Sequence, residues 1–544
     1  MFRISASSSI VALVAFLLAA MMINHGLVDS DLPVGPGLTL DESFNIDQGV
    51  YLVDALGQHG PLLFTSSVAR DVFGSDRYLP DHPPLGRVLL GMSHQLTSWL
   101  IPGSESTAYN VPAARLGSCL AFAITTLLIA EFARRRYGSA TGICAAVMLI
   151  GMPHVIGHAR LAALESVTNL AWVAAMLPLL TWWTNVKPPT TRQAILSGCL
   201  WGVLLLTKVQ GIFLPVIVVM WSTWQFRWRA IRPLAFYGIA GALVFVAGWP
   251  WLWLDPENNI LRYLGRTTKR PTLYCWYFGQ RYADSAVPWH FPFVMLLISL
   301  PAWTLTGILL RLTKKAFDPV ERLLVLCVVF PLIVFAVPGV PVYDGTRLFL
   351  IVMPSLAVLA GRGFTLWMSP KDFAAAFALA VVSERPAWQK ALVWTTITIA
   401  PLHWIMQPLA ISQYGPLTAG NRGAAWLGME AGYWSDALNS RFWQQVPEDS
   451  AVLVAPVSHQ FQLNDIEALV PIVQHRRIKL VAWEYDESRQ HGLLLLIHRL
   501  ADLRPELATI PEDIDVLAEA TQNGVIYARL VKIQSTTRFQ QQPN

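Results

Sequence analysis

Over its first 410 residues the chain alternates long apolar runs with short polar breaks; after that the segments become short and mixed. The first run, about Ile10 to Ile23, follows a brief start carrying one cation, Arg3. A signal peptide opens in the same way, and Leu-Ala-Ala imitates a cleavage site. The loop that follows needs tethering and more runs come after, so an uncleaved first span is the expectation. Further runs lie near 111–132, 139–156, 163–183, 193–207, 209–226, 233–253, 289–311, 320–338, 346–367 and 391–410. A bilayer crossing takes roughly 20 apolar residues, so the pattern predicts about 11 transmembrane helices. The pair either side of Lys208 is short for spans. Ala374 to Val382 is too short to cross and predicts a re-entrant or surface helix.

Between the first two runs lies the longest polar segment before the C-terminal region, residues 29–110. Its amphipathic pieces, Ser43 to Gln58 and Leu85 to Leu100, predict helices lying along the membrane surface. From about Ser412 the pattern becomes that of a soluble domain. Ala451 to Val457, Ile478 to Trp483, Leu493 to Ile497 and Val525 to Ile533 read as strands, and Asp465 to His475 and Pro511 to Thr521 as helices. Strands alternating with helices predict a small α/β domain. The expected architecture is a polytopic α-helical membrane domain, 1–410, followed by a soluble α/β domain, 411–544.

Composition agrees. The chain is 54% hydrophobic and 14% charged, against about 25% charged in soluble proteins. Many of its 22 Trp fall near run ends, among them Trp99, Trp221, Trp249 and Trp367, as interfacial belts require. No basic low-complexity run suggests nucleic acid, and neither a P-loop nor a GxGxxG supports nucleotide binding. Four of the five cysteines lie within runs and only Cys275 lies in a loop, so no disulfide framework or CxxC metal motif exists.

Charge distribution sets sidedness. Arg134-Arg135-Arg136, Lys187 with Arg192, Arg227/Arg229/Arg232, Arg311 with Lys314-Lys315, and Lys371/Arg385/Lys390 fall on one side in this topology. The positive-inside rule makes that side cytoplasmic. The 29–110 loop, Leu254–Pro288, Pro338–Thr346 and the C-terminal domain are then extracytoplasmic.

With sidedness fixed, polar residues collect at the extracytoplasmic span ends. Asp41, Glu42, Asp81 and His82 come from the first loop, and Arg115 opens the second span. Arg160 and Glu165 flank the next turn, Lys208 sits between two short spans, His290 opens a later span, and Tyr343-Asp344-Gly345-Thr346-Arg347 precedes another. Each has a second reading. Arg115 and Arg347 can snorkel to headgroups; His290 can be a satisfied interfacial histidine; Glu165 and Arg160 can form a structural ion pair. Lys208 resists dismissal, because lysine inside a span is costly and usually attends a pathway or ligand.

This ordered set resembles the GT-C glycosyltransferases of family 39, the dolichyl-phosphate-mannose–protein mannosyltransferase and aminoarabinose-transferase type, in a bacterial branch. The matching elements are Asp41-Glu42, Asp81-His82-Pro83-Pro84-Leu85, Arg115-Leu116, Arg160 to Glu165, Lys208, Trp249-Pro250-Trp251, Pro288-Trp289-His290 and Tyr343-Asp344-Gly345-Thr346-Arg347. They cover about residues 1–410.

The resemblance implies transfer of a sugar, with inversion, from a polyprenyl-phosphate carrier to a hydroxyl of a protein, lipid or glycan acceptor in a bacterial inner membrane. Asp41 is then the general base with Glu42 beside it. Arg115, Lys208, Arg347 and His82 hold the donor phosphate, and Asp81, Arg160, Glu165, Tyr343, Asp344 and His290 support the site or the acceptor. No cofactor is expected to be required, although Asp81 with His82 and His290 is a candidate set for a divalent ion. The aminoarabinose branch has Glu-Lys before its Pro-Pro where this chain has Asp81-His82. A polytopic transporter or flippase of a lipid-linked sugar, and a polysaccharide ligase or polymerase of another fold, are the competing classes; no two-halved symmetry favours the transporter.

Overall fold

The structure, a computed structural model, describes residues 4–24, 34–101, 107–266, 271–314, 316–367, 407–432, 435–457, 459–483, 492–508 and 514–533. Most of the expected span at 391–410, the Ala374–Val382 stretch, and Lys315, Lys371, Arg385 and Lys390 lie outside the described residues.

Five described helices are long and apolar enough to cross a membrane: Val111–Tyr137, Leu164–Trp183, Val209–Gly248, Pro319–Ala336 and Arg347–Trp367. Counting each of two bent pairs as one span gives up to 7, against about 11 expected. Part of the difference is length, since Ala6–Ala20 and Thr191–Leu205 have 15 residues each. The 40-residue run Val209–Gly248 would be about 60 Å long as one helix, twice the hydrocarbon thickness. Arg227, at φ 54°, divides it into Phe213–Phe226 and Ile231–Gly248, close to the two runs expected there.

Two expected straight crossings are bent at proline. Ser139–Ile150 and Pro153–Ala159 meet at 71°, and Phe291–Ser299 and Ala302–Leu312 at 112° around Pro301. Proline lacks the amide the preceding turn needs and crowds its carbonyl. The 289–311 run is therefore two short helices of about 14 and 17 Å, neither of which crosses alone.

Both amphipathic pieces of the first loop are helices, Leu40–His59 and Pro84–Thr97. They cross at Gly49 and Gly91, where a Cβ on Gly91 would lie 2.2 Å from the Gly49 carbonyl oxygen. Only glycine permits so close a crossing, and it fixes the first loop as one unit. Helix Val111–Tyr137 starts at Asn110, whose side chain accepts from the Ala113 amide. Near its start it carries Arg115 and near its end Arg134–Arg136, about 29 Å apart along the axis. At that far end Glu131 takes Arg134 and Arg135, Arg136 pairs with Asp318, and Arg311 pairs with Glu321. The basic loops 134–136 and 311–314 thus gather at the opposite end of the bundle from Arg115.

The C-terminal region contains a five-stranded mixed sheet in the order Lys479–Ala482, Ala451–Ala455, Gly492–Ile497, Val525–Ile533, Asp515–Gln522. The first three are parallel and the last two pairings antiparallel. Gln460–Leu469 and Pro471–His475 supply helix where it was expected. The expected helix Pro511–Thr521 is wrong: Asp515–Gln522 is a strand. Asn523-Gly524, at φ 53° and 73°, forms the two-residue turn that folds it onto Val525–Ile533. Asn-Gly between apolar runs is a strong hairpin signal, and it outweighs a helical periodicity that two register shifts in this edge strand had mimicked.

Candidate active site

Adjacent residues Asp41 and Glu42 open the helix Leu40–His59, whose capping residue is Thr39. About 100° of helical rotation separates their side chains, and they enter different environments. Glu42 is fully buried. Its Oε2 accepts from the Thr39 amide and hydroxyl at 2.9 and 3.0 Å, and its Oε1 from the Ala162 amide at 2.6 Å. Arg115 donates to both oxygens at 2.8 Å and to the carbonyls of Pro36 and Gly37. Both Glu42 oxygens and four of the five Arg115 N–H groups are thereby engaged, and both side chains are sealed from solvent. The expectation of Glu42 as catalytic and Arg115 as a phosphate contact differs from this geometry, which uses the pair to seat the start of the helix.

Asp41, by contrast, has 39% of its side chain exposed and accepts from Arg347 Nη2. Arg347 Nε donates to Glu165 Oε1 at 2.8 Å and Nη1 to Asp344 Oδ2 at 2.9 Å. Lys208 Nζ donates to the same Glu165 oxygen at 2.6 Å. Glu165 Oε2 is buried with no hydrogen-bond partner among the described residues. Glu165 sits in the first turn of Leu164–Pro178, where the helix dipole favours a carboxylate. Lys208 occupies the extended break between Thr191–Leu205 and the 3-10 turn Val209–Ile212. Asp344 and Gly345, both with positive φ, turn the chain sharply into Arg347. Thr346 is tied through His154 to the Gln413 carbonyl.

The remaining expected residues divide. His82 lies within electrostatic reach of Lys208 and Asp41, and burial, assisted by Arg87 and Lys208 against Asp81 and Asp41, pushes its pKa down to about 4. At neutral pH it is uncharged, so it adds no cation for a phosphate. Asp81 is gripped by both Arg87 nitrogens at 2.7 and 2.9 Å. His290 Nδ1 is 2.8 Å from the Tyr277 hydroxyl. Among the described residues no three His, Cys, Asp or Glu side chains form a metal-binding group, so Asp81, His82 and His290 are not assembled as a ligand set. Arg160, wholly buried, donates to the Gln407 carbonyl, and Glu165 pairs with Lys208 and Arg347 in its place. Tyr343 is half-buried against the main apolar core.

Two residues were missed. Arg87, buried, links Asp81, the Leu79 carbonyl and Asn45; an arginine in the first turn after Pro83-Pro84 could have been suspected. Arg499 extends the cluster from the C-terminal region, donating to Asp344 Oδ1 at 3.2 Å and pairing with Asp502. Nearby Glu430 accepts from the Ala501 amide, and its carboxyl is raised to about 8 by burial, with Asp502 and Asp344 adding to the effect against Arg499. No local pattern announces a pairing across 155 positions.

Residues 81–253 match the family model for dolichyl-phosphate-mannose-protein mannosyltransferase. No curated protein matches the sequence. Among solved structures, the fold is similar to that of ArnT from Cupriavidus metallidurans bound to undecaprenyl phosphate, with a TM-score of 0.51, 14% identity and 98% of each chain covered. The apo state of the same protein gives a TM-score of 0.50 with the same identity and coverage. The likeness of fold thus extends through the C-terminal region, beyond the residues that carry the resemblance in sequence.

Proposed function

We propose that the chain is a GT-C glycosyltransferase of the family 39 type, a reading supported by the family-model match over residues 81–253 and by the likeness of fold to ArnT, and that it moves a sugar from a polyprenyl-phosphate carrier to an acceptor hydroxyl at the extracytoplasmic face of a bacterial inner membrane. The observation carrying this reading is the convergence of Lys208 and Arg347 on one oxygen of Glu165, with Arg347 also holding the half-exposed Asp41. Without a ligand the cations are neutralised by carboxylates. An arriving phosphate competes for Arg347 and Lys208, and in doing so releases Asp41.

Asp41 then takes the proton of the acceptor hydroxyl as its oxygen bonds to the anomeric carbon, the task of a general base. The bond from that carbon to the phosphate oxygen breaks, and its electron pair leaves with the polyprenyl phosphate. Lys208, as a point charge, and Arg347, with its planar fork, stabilise the charge that develops there. Glu165 Oε2, which has no hydrogen-bond partner among the described residues, accepts from a hydroxyl of the donor sugar in this reading. Attack opposite the leaving phosphate inverts the anomeric centre. The two cations supply the charge that a divalent ion would otherwise provide, and no metal is required in this reading.

The test is purification in nanodiscs with endogenous lipid, followed by mass spectrometry. A polyprenyl-phosphate sugar should co-purify and be converted to polyprenyl phosphate when a membrane extract supplies acceptor. Absence of any such lipid, with no consumption of added donor, would contradict the proposal.

A further inference from the structure

A cleft of about 320 Å³ opens between the first-loop helix Leu40–His59, whose first turn carries Asp41, and the C-terminal helix Gln460–Leu469. That volume falls within the range of small-ligand pockets. Ser43, Phe44 and Asp47 line it from the first-loop helix, Phe461 and Asp465 from the C-terminal helix, and Tyr109 lines it as well. Phe44 is one helical turn from Asp41 and lies on nearly the same side of the helix. Asp41 does not itself line the cleft, but a bound group that spans the one turn from Phe44, about 4.5 Å along the axis, can extend a hydroxyl towards its carboxylate.

The lining has a chemical character of its own. Phe44 and Phe461 meet edge to face at 5.6 Å, and His459 stacks on Phe461 at 5.4 Å, yet Phe461 keeps 44% exposure. Asp47 is held by the Tyr109 hydroxyl at 2.6 Å and by Gln48 at 2.9 Å, with Arg77 at 3.5 Å. Ser43 hydrogen-bonds Asp465, whose carboxyl is raised above its ordinary range by burial, with Asp47 facing it. The cleft thus offers open aromatic surface and oxygen acceptors arranged around it.

Three candidate occupants separate on this chemistry. A phosphorylated or otherwise anionic head meets two carboxylates against one exposed arginine, and like charge is repelled. An extended peptide gains most from pairing with a strand edge, but the residues lining the cleft belong to helices and loops, and neither sheet edge, Lys479–Ala482 or Asp515–Gln522, takes part. An uncharged saccharide suits both features, since its C–H face packs on an aromatic ring while its hydroxyls donate to Asp47 and Asp465. We infer that this cleft is the acceptor subsite and that the acceptor presents a neutral saccharide to it. The inference rests on the glycosyl-transfer reading above.

The experiment uses the full chain in nanodiscs, the co-purifying donor lipid, and three acceptor probes: n-dodecyl-β-maltoside, a Ser/Thr peptide, and a phosphorylated glycolipid. Transfer to the maltoside is expected, with its KM raised at least about tenfold in both Phe461→Ala and Asp465→Asn and donor binding within about twofold of the wild type. Transfer confined to the peptide or the phosphorylated glycolipid would overturn the saccharide assignment, and an unchanged maltoside KM in both variants would overturn the cleft. A wild-type protein that neither binds nor consumes a polyprenyl-phosphate sugar would sink the underlying reading instead. If Phe461→Ala fails to fold, Asp465→Asn, a near-isosteric change on a half-buried helix face, still decides.

Discussion

Two buried ion clusters lie one residue apart in sequence, and they are built on opposite plans. At Glu42–Arg115 every acceptor and most donors are consumed, nothing is exposed, and the chain closes around the pair with Thr39, Ala162, Pro36 and Gly37. At Asp41–Arg347–Glu165–Lys208 the same residue types leave one carboxylate 39% exposed and one buried oxygen without a partner among the described residues. The closed cluster anchors the helix start and so aims Asp41; the open one keeps capacity for a ligand. Charged residues at a membrane boundary therefore split into those that complete the fold and those held ready, and residue type does not tell them apart. The number of unspent hydrogen bonds does.

The largest effect should come from breaking the closed cluster. Glu42→Gln or Arg115→Met leaves a buried charge without its partner and should destabilise the protein by about 3–5 kcal/mol, seen as loss of folded material in thermal unfolding in detergent. A Glu42→Gln protein of wild-type stability would show that the pair is not structural. Next, Lys208→Met should leave folding intact while weakening donor binding and costing about 2–4 kcal/mol of transition-state stabilisation, the scale for one preorganised charged donor; the same holds for Arg347→Met. Unchanged donor affinity and turnover in both would remove them from the site.

Arg499 tests how far the open cluster extends. It acts through Asp344 on Arg347 as a positioning residue, so Arg499→Gln should lower kcat about tenfold, the worth of one charged hydrogen bond, with little change in donor KM. Arg499→Lys should recover part of the loss. A purely structural role would instead show as lowered stability with kcat per folded molecule unchanged.

The smallest effect concerns pH. The Glu430 carboxyl is raised to about 8 in the folded state, so between its unfolded value, about 4.3, and 8 the folded protein binds more protons than the unfolded one. Its contribution is complete below that window and is lost as pH rises through it. Asp436, raised to about 7 by burial, acts in the same direction. Glu430→Gln should flatten, without abolishing, the fall in unfolding temperature between pH 5 and 8; an unaltered slope would show that Glu430 ionises normally.

The helical membrane architecture, the two first-loop helices and four of the five C-terminal strands were legible because apolar period and run length report burial directly. The bends at Pro153 and Pro301 were legible only as prolines, since an apolar run looks the same whether it continues or turns back. In the site, Asp41, Glu165, Lys208, Asp344 and Arg347 were singled out and do converge. What the sequence could not supply was the partition. Asp41 and Glu42 are neighbours of the same charge, and which one is sealed depends on Arg115, 73 positions away. Arg499 was invisible for the same reason, its significance arising wholly from a contact with a distant turn.

The central claim is that Asp41 is the open carboxylate that removes the acceptor's proton, and Asp41→Asn tests it most directly, because the amide keeps the shape and loses the base. The measurement is transfer of labelled sugar in nanodiscs, with donor binding and thermal stability followed in parallel. The account predicts a folded protein that binds the polyprenyl-phosphate donor and transfers at least about 100-fold more slowly than the wild type. Transfer at a near-normal rate by a folded, donor-binding Asp41→Asn protein would contradict it.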